Sequence, residues 1–145
     1  DKAIDYFKQG LGLARELNDK QREGVYLGNL GAAYHSLGEF DKTIEYFQQG
    51  LNIAKEIGDR LSEGLWLDNL GKIYIKQGKH DLALTHLLKS WEIRIEIKDP
   101  KLKETEENIN KLKGSLSDPK FKELFEKIKK GDAEEETQED SGGSM

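Results

Sequence analysis

The chain has 145 residues, 35% hydrophobic and 35% charged, with a net charge of −5 and no cysteine. That length suits one domain with a continuous core, and the lack of cysteine excludes disulfides, Cys-based zinc sites and thiol chemistry. The charge is uneven: residues 132–145 carry six acids and no base, leaving 1–131 near +1, without the basic footprint of a nucleic-acid binder. No apolar run has the length of a membrane span, and no signal-peptide pattern opens the chain. A cytoplasmic location is the expectation, and the start at Asp1 without Met reads as a fragment of a longer protein.

The elements follow in chain order. Residues 1–18 place Ile4, Phe7, Leu11 and Ala14 on one helical stripe behind Asp1. A second helix follows Asp19, with Leu27, Leu30 and Tyr34 in register, and ends near Gly38. A third follows Asp41, with Ile44, Phe47, Leu51 and Ala54, and ends at Gly58. A fourth follows Asp59, with Leu67, Leu70 and Tyr74, and ends at Gly78; a fifth follows Asp81. Asp99-Pro100 and Asp118-Pro119 open the last two. Aspartate accepts the free N–H groups of a first helical turn, proline suits the first helical position, and glycine takes the left-handed residue beyond a helix end. The spacing predicts seven helices, all-α, with short turns.

The pattern is a repeat of 40 residues, with about half the positions of 1–40 recurring identically in 41–80. A period of that size marks stacked helix pairs, each burying its apolar face on its neighbours. The division is a half repeat at 1–18, repeats at 19–58 and 59–98, and a degenerate repeat helix at 99–116. That last helix aligns with a two-residue insertion, so Ile109, Leu112 and Leu116 stand for Leu67, Leu70 and Tyr74; Lys113 replaces a glycine, and Arg94 replaces Ala54. Residues 117–131, with Phe121, Leu124, Phe125 and Ile128 on one face, form an amphipathic capping helix, and 132–145 read as a disordered acidic tail. Gly31 and Gly71 interrupt good helix at a cost of about 1 kcal/mol each, which suggests close helix–helix approach.

Leu27, Leu30, Gly31, Tyr34, Gly38, Phe40, Thr43 and Phe47 resemble the signature of the tetratricopeptide repeat, as do Leu67, Leu70, Gly71, Tyr74, Gly78, Ala83 and Leu87. The 40-residue length and the phrase EGLWLDNLG are most similar to the branch holding the Pins/LGN-type scaffolds. The resemblance implies a right-handed α-solenoid whose first helix of each pair lines a concave groove for a linear peptide or partner helix. On those helices the groove stripe is Val25, Asn29, Ala32 and Ser36, repeated as Leu65, Asn69, Lys72 and Lys76, with Asp68 beside it. By resemblance, Asn29 and Asn69 grip a peptide backbone with their amides. Gly28 and Ala32 are expected to leave room beside Asn29. The cationic clamp that some family members use for chaperone tails is largely missing, since Val25, Gly28 and Ala32 occupy its places.

No catalytic constellation stands out. His80 and His86 are six residues apart, unlike the i,i+4 pair of a metal site, and the three histidines read as surface residues. Glu106 and Glu107 read as a solvated face. The expectation is a non-enzymatic interaction scaffold without cofactor or metal, whose partner is a protein or peptide, not nucleic acid or membrane. The alternatives are a structural or oligomerisation module and a regulatory sensor domain of a larger signalling protein. The first helix lacks the partner helix of a full repeat, so an apolar edge bearing Ile4, Phe7 and Leu11 is expected to be open. That edge makes a homodimer a candidate.

Overall fold

The computed structural model describes the backbone of residues 1–142 and the side chains of residues 1–131. Among the described residues there are seven helices and no strand: α1 (Lys2–Glu16), α2 (Lys20–Ser36), α3 (Phe40–Ile57), α4 (Arg60–Lys76), α5 (His80–Glu96), α6 (Leu102–Ser115) and α7 (Asp118–Gly142). Helices α1 to α6 pack in succession, α2 with α3 and α4 with α5 most closely; α4 also touches α6, and α7 touches α5. The result is a solenoid.

The helices start on a 20-residue beat. Asp1, Asp19 and Asp59 are true N-caps, their carboxylates accepting the backbone N–H of Ala3, Arg22 and Ser62. Asp41 and Asp81 are not: α3 and α5 start one residue earlier, so these acids sit in the first turn and act on the positive helix end rather than as caps. Asp118 is likewise the first residue of α7. Helix ends share the beat. Gly38, Gly58 and Gly78 have φ near 70°, and the same left-handed conformation falls on Asn18 and Lys98, at φ 54° and 55°.

Two buried clusters hold the array together. One gathers Ile4, Leu11, Leu27, Leu30, Tyr34 and Ile53; the other runs from Phe47 and Leu51 through Leu67, Leu70 and Leu84 to Leu112. The tight crossings expected at Gly31 and Gly71 are present. A Cβ on Gly31 would lie 2.4 Å from the Phe47 ring, and one on Gly71 would lie 2.6 Å from Leu87.

The third pair departs from the first two. Pro100 and Lys101 form a turn before α6, which is where the two extra residues go. Asp99 therefore does not cap the helix directly; it accepts the N–H of Lys101 at 2.9 Å. Arg94, which fills the place of Ala14 and Ala54, is buried, donates to the Lys101 carbonyl at 2.8 Å and lies 3.7 Å from the Asp99 carboxylate. The alignment of Leu112 with Leu70 holds, both being fully buried.

Phe121, Leu124, Phe125 and Ile128 of α7 pack half-buried against the larger cluster, and Lys129 pairs with Glu92 of α5. The α6–α7 pair lacks the close backbone approach of the earlier pairs, as expected where Lys113 replaces glycine. The helix does not stop at Gly131: backbone helix continues to Gly142 where disorder was expected. Ala133, Glu134, Glu135, Glu136 and Gln138 are good helix formers, and a single glycine does not outweigh them. Residues 143–145 of that tail lie outside the described residues.

Candidate functional site

The helical stripes of α2, α4 and α6 meet in an open groove of about 720 Å³. Of the residues expected on its wall, Ala32, Ser36, Asn69, Lys72 and Lys76 are brought together. Phe47, Ile73 and Ile75 supply apolar surface, and His35, Glu104, Glu107, Asn108 and Lys111 complete the lining.

The other expected site residues lie elsewhere. Asn29 is exposed but does not line this groove. Val25, 54% exposed, borders a separate pocket of about 70 Å³ with Gln21, Ile57, Ser62 and Trp66. Leu65 is half-buried outside the groove wall. The room expected beside Gly28 is taken: Trp66 occupies it, with ring atoms 2.4 Å from where a Cβ would stand.

Asp68 is a buried anchor, 1% exposed, rather than a groove-surface charge. Its Oδ2 lies 3.1 Å from Lys72 Nζ and accepts from the Asn108 amide at 3.4 Å. Lys72 also reaches Glu104 on α6 at 3.2 Å, and this hydrogen bond holds the Glu104 carboxyl below the usual glutamate range. Burying a carboxylate is tolerable only when it is paired. The Asp68–Lys72–Glu104 chain therefore fixes α4 against α6 and sets the Lys72 stem across the groove.

Sequence reasoning missed the α6 wall. The signal was present: Glu104, Glu107, Asn108 and Lys111 follow a helical i, i+3, i+4, i+7 stripe. The decayed consensus hid it, because the two-residue turn at Pro100 shifts its phase against the earlier repeats. The three histidines also differ from the surface reading. All are partly buried, and His86 donates from Nδ1 to the Leu82 carbonyl at 2.7 Å. Among the described residues no cluster of His, Asp and Glu is arranged to hold a metal, and no helix is long and apolar enough to cross a membrane.

Helix pairs stacked at a 40-residue period, with one groove crossing the first helix of successive pairs, define a helical repeat protein. The family model described as Tetratricopeptide repeat matches residues 1–56 and 22–96, and the chain belongs to that family. Its repeats generally mediate protein–protein interactions and are typically non-enzymatic. The match is to the repeat family as a whole and singles out no branch of it. No curated protein matches the chain.

Proposed function

We propose that this chain is a non-enzymatic scaffold that binds a linear peptide or partner helix in the groove between α2, α4 and α6. The observation that carries the reading is the composition of that groove. Asn69 offers a donor and an acceptor beside the apolar surface of Phe47, Ile73 and Ile75, while Ala32 and Ser36 keep the opposite wall low. An amide in that position suits the alternating N–H and C=O groups of an extended backbone. Lys72 is neutralised by Asp68 and Glu104, whereas Lys76 and Lys111 have no carboxylate partner among the described residues. An acidic side chain on the ligand is favoured at that end.

The test is selection of peptides from a displayed library on the full chain, followed by affinity measurement on variants. Asn69→Ala weakens the selected peptides by about fivefold to tenfold, the effect of one lost hydrogen bond to a desolvated amide. Lys76→Glu weakens those that carry an acid. Selected peptides that bind both variants as tightly as the parent chain would overturn the reading.

A further inference from the structure

The apolar edge expected to be open at Ile4 and Leu11 is closed against α2. An apolar recess lies instead between α5, α6 and α7. In the earlier pairs a glycine lets the next helix close: Phe47 lies over Gly31, and Leu87 lies over Gly71. On α6 the place of that glycine is held by Lys113, whose ammonium stands 5.8 Å from the centre of the Phe121 ring. A lysine stem cannot be crossed as a glycine is, and α7 approaches α5 without closing on α6. The space left between the three helices is about 380 Å³.

Leu88 and Trp91 of α5, Ile109 of α6, and Phe121 and Phe125 of α7 wall this cavity. Phe121 and Phe125 stack with ring centres 6.4 Å apart. The Trp91 indole is held in place, its Nε1–H donating to Glu106 at 3.2 Å. Of the charged groups in the lining, Glu106 is engaged by that indole and Lys129 pairs with Glu92 of α5. Lys113 has no carboxylate partner among the described residues. The cavity shares no residue with the groove between α2, α4 and α6, because α6 turns Glu104, Asn108 and Lys111 to one side and Ile109 and Lys113 to the other.

We propose that this cavity binds a small arylalkyl carboxylate, its ring among Trp91, Phe121 and Phe125 and its carboxylate on Lys113. The volume falls within the range of small-ligand sites, about 300–1,000 Å³, which are apolar with a few placed polar groups. Aromatic walls favour a ring, since offset and edge-to-face contacts add to the area buried. A carboxylate supplies the partner that Lys113 lacks, through a charge-assisted hydrogen bond beside apolar walls that strengthen it. A cationic ligand meets repulsion from Lys113, and a neutral one leaves the ammonium unpaired. Glu106, beside the indole, repels a second acid and so limits the ligand to one carboxylate.

The probe is phenylbutyrate, with phenylbutyramide as a neutral counterpart of the same shape, titrated into the full chain. The readout is the indole N–H signals of Trp66 and Trp91 by NMR, assigned with Trp66→Phe. Phenylbutyrate is expected to shift the Trp91 signal saturably and to leave Trp66 and the Asn69 side chain unmoved. Lys113→Met keeps the apolar stem and removes the charge. It should weaken phenylbutyrate about tenfold, the effect of one lost charged hydrogen bond, and leave phenylbutyramide unchanged. Lys113→Arg should retain the preference for the acid. Ile109→Trp fills the cavity and should abolish binding of both; Phe125→Ala, which removes a wall without overpacking, should weaken both. Absence of a saturable shift at Trp91 overturns the proposal, as does an acid bound no better than the amide or indifferent to Lys113→Met. Octanoate bound more tightly than phenylbutyrate overturns the assignment of an aryl body. A peptide ending in phenylalanine that moves Trp91 where phenylbutyrate does not overturns the proposal in favour of a protein partner.

Discussion

Trp66 of α4 lies over Gly28 of α2, its indole 2.4 Å from the point where a Cβ would stand. The ring cannot easily retreat, since Phe47 stacks on it at 5.2 Å and the Cβ position of Gly50 is 3.3 Å from its nitrogen. Gly28→Ala should therefore destabilise the fold by about 1–3 kcal/mol through overpacking, despite the roughly 1 kcal/mol that alanine gains over glycine in a helix. Gly12, with nothing within 4 Å of its Cβ position, is the control. Gly12→Ala should stabilise by about 0.5–1 kcal/mol. Urea unfolding of the two variants checks the pair, and a Gly28→Ala protein as stable as the parent refutes the wedge.

Lys98 stands at the left-handed position that Gly38, Gly58 and Gly78 occupy elsewhere, with φ 55°. A side chain there strains the backbone by about 1–2 kcal/mol, partly offset by the greater freedom of glycine in the unfolded chain. Lys98→Gly should raise the thermal midpoint by a few degrees. The same substitution at an ordinary helical site such as Lys89 should lower it.

Burial pushes the His86 imidazole below its usual value of 6.5, and Lys89 and Lys55 add to this, against the hydrogen bond to Leu82. The folded chain therefore takes up the proton less readily than the unfolded one. The stability that His86 contributes is complete above about pH 6.5 and is lost as pH falls toward the folded value. His86→Tyr places the residue of Tyr46 in the same stacking position and removes the titration. The parent chain should lose thermal stability as pH falls below about 6.5, and the variant should lose less. Parallel melting curves against pH would contradict this.

Residues 132–145 carry no large apolar side chain before Met145. A helix without a buried face adds little, since ordering entropy offsets what its backbone bonds contribute. Deleting 132–145 should leave the thermal midpoint nearly unchanged, and a drop of many degrees would show that the α7 extension supports the array.

The period, the helix count and the glycine crossings at Gly31 and Gly71 were legible because they depend on local spacing and on residue identity repeated in register. Asp41 and Asp81 misled because an acid suits a first turn as well as a cap, so composition alone does not place the boundary. Asn18 and Lys98 were missed as left-handed residues because only glycine announces that conformation. At the groove, Ala32, Ser36, Asn69, Lys72 and Lys76 followed from the helical stripe. The burial of Asp68 and the filling of the Gly28 gap did not, because both depend on side chains 38 to 40 residues away, Trp66 and Asn108, whose reach a one-helix pattern does not contain.

The most direct test of the groove is amide and side-chain NMR of the labelled chain titrated with a peptide selected for binding. The account predicts perturbations concentrated at Ala32, Ser36, Asn69, Lys76 and Lys111, with the Asn69 side-chain amide among the largest. Perturbations confined to the opposite helices, at residues such as Asn52, Leu82 or Ile95, with Asn69 unmoved, would contradict it.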